Sequence, residues 1–206
     1  MGGATRYLWL RLQHDRKTPE VAHEALLGNW LPGLAKEGAG LWGAFAGHFG
    51  LHSRELLLVL SYPARHGGAP EAFIDLLPTG FEVLDAMVLR ATSRPESAAP
   101  LERSGLYVHR LFDTDDQAVE EIVSLSTEAW ETFETSDRYQ SRPMGLFSEP
   151  GEGRIRMLLV TWYENFTSWE VSRNPAPEAA ENFQRRAELT QGTQPFATRL
   201  LKPPAR

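Results

Sequence analysis

No cysteine occurs among the 206 residues. That excludes a disulfide framework, a thiolate metal site and a cysteine nucleophile, and it suits a reducing compartment. Positive charge is also scarce. Lysine and arginine number 21 against 27 acids, a net charge of −6, and no basic run could neutralise many phosphates. Nucleic acid and membrane surfaces are therefore not expected as partners. The N-terminal MGGATRYLWLRLQHDR has no basic region before its apolar run, which is far too short to span a bilayer, so a cytoplasmic protein is expected. Also missing are a GxSxG elbow, a P-loop and a GxGxxG in its strand context, which removes support for hydrolase, nucleotide-hydrolysing and dinucleotide-binding readings. The remaining composition, 42% hydrophobic and 23% charged, is that of a chain able to bury a core.

What the sequence does have is internal repetition, which must be sought before local structure. ELLLVLSYPA at Glu55–Ala64 returns as RMLLVTWYEN at Arg156–Asn165. Other pieces recur in the same order. LWLRLQHD around Arg11 matches YVHRLFDT around Arg110, which sets Leu10 against His109. Gly43-Ala44-Phe45 matches Gly145-Leu146-Phe147, and the distance on to the strand-ending tyrosine, Tyr62 or Tyr163, is 19 positions in one copy and 18 in the other. Each copy closes with an arginine five positions before a proline, Arg90 and Pro95, then Arg199 and Pro204. The polar segment Ser93–Gly105, rich in proline, serine and alanine, reads as the linker between a unit at 1–97 and a unit at 98–206.

Each half reads as strand, helix, strand, strand, helix, strand. Tyr7–Gln13 alternates as a strand does, with Leu8, Leu10 and Leu12 on one face. Thr18-Pro19-Glu20 signals a helix start, and Gly28 and Pro32 should bend or end that helix near Trp30. In the second half Asp115 or Asp116 can cap a helix whose Ala118, Ile122, Leu125, Ala129 and Phe133 form one apolar stripe. APEAFIDLL and EAAENFQRRAELT read as the second helices, AMVLRAT and PFATRLL as closing strands. The fold class expected is α+β, two tandem ferredoxin-like βαββαβ units packed sheet to sheet as an intramolecular α+β barrel.

At this point GLFSEPGEGRIRMLLVTWYENFTSWEVSR, followed by FQRRAELTQGTQPFATRLL, resembles the NIPSNAP branch of the dimeric α+β barrel superfamily. The resemblance covers most of residues 106–204 and, more loosely, 7–95. It implies a superfamily that includes heme-degrading and quinone-forming monooxygenases, polyketide cyclases, isomerases, lyases and heme peroxidases. The Asn, Trp and His constellation of the heme-degrading members has no match here, since Asn29-Trp30 falls on the first helix. No catalytic residue is carried over from any branch.

Small molecules in this fold usually occupy the cleft between a sheet and its own helices, so polar side chains on that face are the candidates. His109, inside a strand, is the expected general base, or an axial ligand if heme binds; its plainer role is a buried, hydrogen-bonded histidine. Arg110 and Tyr107 are the expected placing groups for an anionic or phenolic substrate. Trp9, Arg11, His48, Tyr62 and Trp162 are candidate substrate-binding residues. His48 and His52 have the i, i+4 spacing of a metal pair on a helix, but Gly47 and Gly50 argue for strand and turn, and no metal site is expected. These residues point to a small-molecule enzyme performing cofactor-free proton transfer, as a lyase, isomerase, cyclase or monooxygenase, on an aromatic or polyketide-like substrate. The alternatives are a heme-binding protein and a non-catalytic NIPSNAP-like binding or assembly module. Whether the chain forms a homodimer is not legible.

Overall fold

The computed structural model describes residues 4–64, 71–135, 139–174 and 177–202. β1 (Thr5–His14) leads into α1 (Pro19–Ala25), which begins where its sequence signals: the Thr18 hydroxyl accepts a hydrogen bond from the Val21 amide at 3.4 Å, and Pro19 stands at the first helical position. Gly28 interrupts the helix, which passes through a π-helical segment, Leu26–Trp30, before resuming with Pro32 in the first turn of α2 (Leu31–Lys36). β2 (Gly40–Phe49), β3 (Glu55–Pro63), a short α3 (Glu71–Ile74) and β4 (Phe81–Arg94) follow. α3 is shorter than the expected 69–77, of which residues 69 and 70 lie outside the described residues.

The second half repeats the plan with β5 (Leu106–Asp115), a 3-10 turn (Asp116–Ala118) and α4 (Val119–Thr135). Asp115 caps that turn, its carboxylate accepting from the Gln117 amide at 3.1 Å. β6 (Ser141–Ser148), β7 (Arg154–Tyr163), α5 (Phe166–Ser172), α6 (Pro177–Glu188) and β8 (Gln191–Leu200) complete the chain. α5 was not expected; Asn165 caps it by accepting from the Ser168 amide at 2.9 Å.

Two compact units result. The first comprises 1–90, 98–103 and 198–206, and the second 91–97 and 104–197, so Ala98 falls in the connector between β4 and β5. The first sheet has the order β4-β1-β3-β2 and the second β8-β5-β7-β6, the ferredoxin-like order in both. The pairings β1–β3, β1–β4, β2–β3, β5–β7 and β6–β7 are antiparallel.

Register corrects one expectation. Leu10 pairs with Leu58, and Arg110 pairs with Leu159; Leu58 and Leu159 are the same position of the repeated LLV. Arg110 therefore corresponds to Leu10, His109 to Trp9, and Leu111 to Arg11. Matching the two strands on their shared Arg-Leu slips the alignment by one residue, and a one-residue slip exchanges the two faces of a strand. Arg11 and Arg110 thus lie on opposite faces of their sheets and are not symmetric.

The Gly-x-Phe repeat has a physical cause. In each unit the ladder slips just before the glycine, between Leu41 and Gly43 and between Pro143 and Gly145. The phenylalanine two places on then lies over the glycine. A Cβ on Gly43 would meet the Phe45 ring at 2.6 Å, and one on Gly145 would collide with the Phe147 ring. Both rings are fully buried. The bare glycine is the seat of the ring.

Candidate functional site

In the second unit, β5 and β7 present alternate residues to α4 and α6. Phe112, Leu146, Met157 and Leu159 pack there with Ile122 and Trp130 of α4 into one apolar cluster. Beside that cluster lies a cleft of about 480 Å³, within the range of small-molecule sites. Its sheet side is formed chiefly by Arg110, Phe112, Thr161 and Tyr163, with Ser141 and Pro143 of β6. Trp130 and Phe133 of α4 and Phe183 and Arg186 of α6 form the helical side, and Ser172 and Arg173 stand at the end of α5.

The helical wall is braced by aromatic contacts. Phe133 stacks on Tyr139 with centroids 4.2 Å apart, and Phe183 meets the Phe133 ring edge-on at 5.2 Å. Trp130 is held from outside by Arg94, whose guanidinium lies 5.2 Å from the indole while bonding Glu134 at 2.5 and 2.8 Å and the Pro143 carbonyl at 3.0 Å. Arg94 positions the wall without entering the cleft.

The polar end is cationic. Arg110 and Arg186 are half-buried, and the Arg186 guanidinium lies 5.2 Å above the Phe183 ring and donates to the Ser126 hydroxyl at 3.3 Å. Burial lowers the pKa of Arg110, an effect opposed by Tyr163 and reinforced by Arg173. Burial, and then the charge of Arg110, push Arg186 down to about 10. The two guanidiniums are near enough to feel each other. Ser141 pairs with Tyr163 across the ladder, and its hydroxyl is buried with no hydrogen-bond partner among the described residues.

The first unit fills the equivalent place. Leu10 and Leu60 stand where Arg110 and Thr161 stand, and they pack with Tyr62, Phe73 and Trp30 in one buried core. The Trp30 indole donates to the Phe73 carbonyl at 2.9 Å, and Tyr62 meets the Phe73 ring edge-on at 5.3 Å.

Of the residues singled out in the sequence, Arg110 lies in the cleft. Tyr107, His109 and Trp162 belong to the same two strands but alternate onto the face turned away from α4 and α6, where all three are buried. Burial lowers the pKa of His109 to about 3, which keeps the ring neutral. Trp162 donates its indole N–H to the Ser104 carbonyl at 2.9 Å. Trp9 and Tyr62 are buried in the first unit, and Arg11 pairs there with the buried Glu55 at 2.8 Å. His48 and His52 are exposed. Within the second unit the structure therefore gathers none of Tyr107, His109 and Trp162 around Arg110. Among the described residues no group of three or more acids and histidines could hold a metal ion, and no helix is long and apolar enough to cross a membrane.

Thr161, Tyr163, Ser141, Ser172, Arg173 and Arg186 are among the cleft residues absent from the candidates read from sequence. Arg186 carried a signal: Phe183, Arg186, Ala187 and Thr190 follow the spacing of one helix face, so an arginine interrupts an otherwise inward-facing stripe.

No protein-family model and no curated protein matches the chain. Solved structures do. A monooxygenase-like protein from Listeria innocua matches with 12% identity and a TM-score of 0.53 over 99% of this chain and 96% of that one. A heme-binding protein from Thermus thermophilus matches with 15% identity and 0.54 over 98% and 92%. A mutant chlorite dismutase from Candidatus Nitrospira defluvii matches with 8% identity and 0.62 over 98% and 93%. At such identities, what this chain shares with them is the ferredoxin-like α+β fold.

Proposed function

We propose that the chain is a small-molecule enzyme of the α+β barrel type whose site is the sheet–helix cleft of the second unit. One observation carries the reading: at equivalent strand positions the first unit places Leu10 and Leu60 in its core, whereas the second opens a cavity and lines it with Arg110 and Thr161. A flat aromatic or polyketide-like substrate fits the wall of Trp130, Phe133 and Phe183. Its acidic C–H or O–H faces the arginines. When that bond loses its proton to solvent, the electron pair stays on the substrate as an enolate or phenolate, and Arg110 and Arg186 stabilise the developing charge. This step is common to cofactor-free isomerases, lyases, cyclases and monooxygenases, and the monooxygenase-like neighbour is consistent with it. His109, on the opposite face of the sheet, is not the base in this reading.

Heme was the principal alternative, and one structural neighbour binds it. The donor set of the cleft favours it little. Among the described residues the lining contains no histidine, methionine or cysteine, which leaves Tyr163 as its one side chain of a type that ligates heme iron. No step is derived through heme.

The test is a thermal-shift and turnover screen with hydroxylated naphthalenes and anthrones, run beside Arg110→Leu and Thr161→Leu, which copy the first unit. Both variants should fold and lose the ligand response. Binding or turnover that survives both changes would place the site elsewhere. Tight binding without turnover would favour the non-catalytic binding module.

A further inference from the structure

Several arginines of this protein are matched by acids. Arg11 has Glu55, Arg94 has Glu134, and Arg185, on the same helix as Arg186, has both Glu121 and Glu188. The chain carries 27 acids to 21 bases, so acidic partners are plentiful. Yet among the described residues no carboxylate pairs with Arg110, Arg173 or Arg186, and all three line one cleft. Among the described residues the groups that hold Arg186 are neutral, the Phe183 ring and the Ser126 hydroxyl.

Placing two half-buried guanidiniums in one cleft, near enough to repel each other, costs free energy in the empty protein through lost hydration and that repulsion. A negative charge arriving between them removes both costs. The buried Ser141 hydroxyl beside Tyr163, without a partner of its own, is a further donor at the same end.

We infer that the polar end of the second-unit cleft is a carboxylate subsite, and that the substrate is a flat aromatic acid whose carboxylate, adjacent to its acidic C–H or O–H so that the same guanidiniums meet both, lies between Arg110 and Arg186 with Ser141 as an added donor. This rests on the cleft being the functional site. Planar guanidiniums match a carboxylate through paired N–H donors, which an uncharged amide of the same shape cannot exploit equally. Arg173, exposed at the mouth, draws the anion in past a chain of net negative charge.

The experiment is calorimetric titration of the full chain with 2-naphthoate and with neutral 2-naphthamide. The acid should bind tighter by about 10- to 100-fold. Arg110→Met and Arg186→Met should each erase most of that preference, Ser141→Ala should reduce it, and Thr161→Leu should weaken both ligands together. Without ligand, Arg186→Met should melt higher than the wild type, because it removes an uncompensated charge, whereas Arg185→Met should not. Equal affinity for acid and amide, with both weakened by Thr161→Leu, would overturn the carboxylate subsite and leave the cleft standing. Affinities indifferent to Thr161→Leu would overturn the cleft and the subsite together. Binding of neither probe, or a lower melting temperature for Arg186→Met, would overturn the subsite.

Discussion

A histidine sealed inside a sheet answers to acid before it answers to anything else. His109 holds its neutral form down to about pH 3 when folded because burial penalises the imidazolium, whereas in the unfolded chain it titrates near 6.5. Between those values the unfolded state binds a proton that the folded state does not. The stability associated with neutral His109 is thus intact above about pH 6.5 and falls as pH drops toward 3, by about 1.4 kcal/mol per pH unit. Urea denaturation at pH 7 and pH 5 should show a smaller acid loss for His109→Gln than for the wild type. Identical losses would mean that the ring does not control acid stability. At this scale the sequence was partly legible. Arg110 stands out as a charge within an apolar strand, but which face it occupies depends on cross-strand register, and the shared Arg-Leu dipeptide misaligned β1 and β5 by one residue. His109 stands out against Leu10 when the strands are matched on Arg-Leu; by register its counterpart is Trp9, another large buried ring.

Among the elements, the strands and most helices follow from local rules, and the repeated glycines show how closely sequence and packing are tied. Gly145→Ala would drive a Cβ into the fully buried Phe147 ring, at a cost of roughly 1–3 kcal/mol. Gly28→Ala, where a new Cβ meets nothing within 4 Å, should be neutral or stabilising. Denaturation midpoints of the two variants decide the matter; a Gly145→Ala loss no greater than that of Gly28→Ala would remove the ring's role. The start of α1 and its interruption near Gly28 were readable because capping and helix breaking are local. α5 was not, since seven residues carry too little periodicity, and only the Asn165 cap announced it. The cleft depends on how α4 and α6 stand over β5 and β7, a tertiary arrangement that no short window of residues encodes.

For the whole molecule, the repeat was visible, but the division of the chain between units is not a single cut. The first unit includes residues from 198 onward: the Leu201 amide donates to the Ala44 carbonyl at 2.8 Å, and the Leu201 side chain is buried in the first-unit core. A chain ending at Ala197 should therefore melt lower by roughly 5–10 °C, the equivalent of one buried leucine and its strand end. Circular dichroism would measure it, and an unchanged melting temperature would detach the C-terminal segment from that core. The second unit likewise includes residues 91–97, where the Thr92 hydroxyl donates to the Leu146 carbonyl at 2.8 Å and Arg94 braces the wall of the cleft. The solid leucine and aromatic filling of the first unit has a practical consequence for anyone wishing to re-tool this protein. A combinatorial library confined to positions 110, 161 and 186 would vary ligand preference while leaving that packed core untouched, so most members should remain well folded.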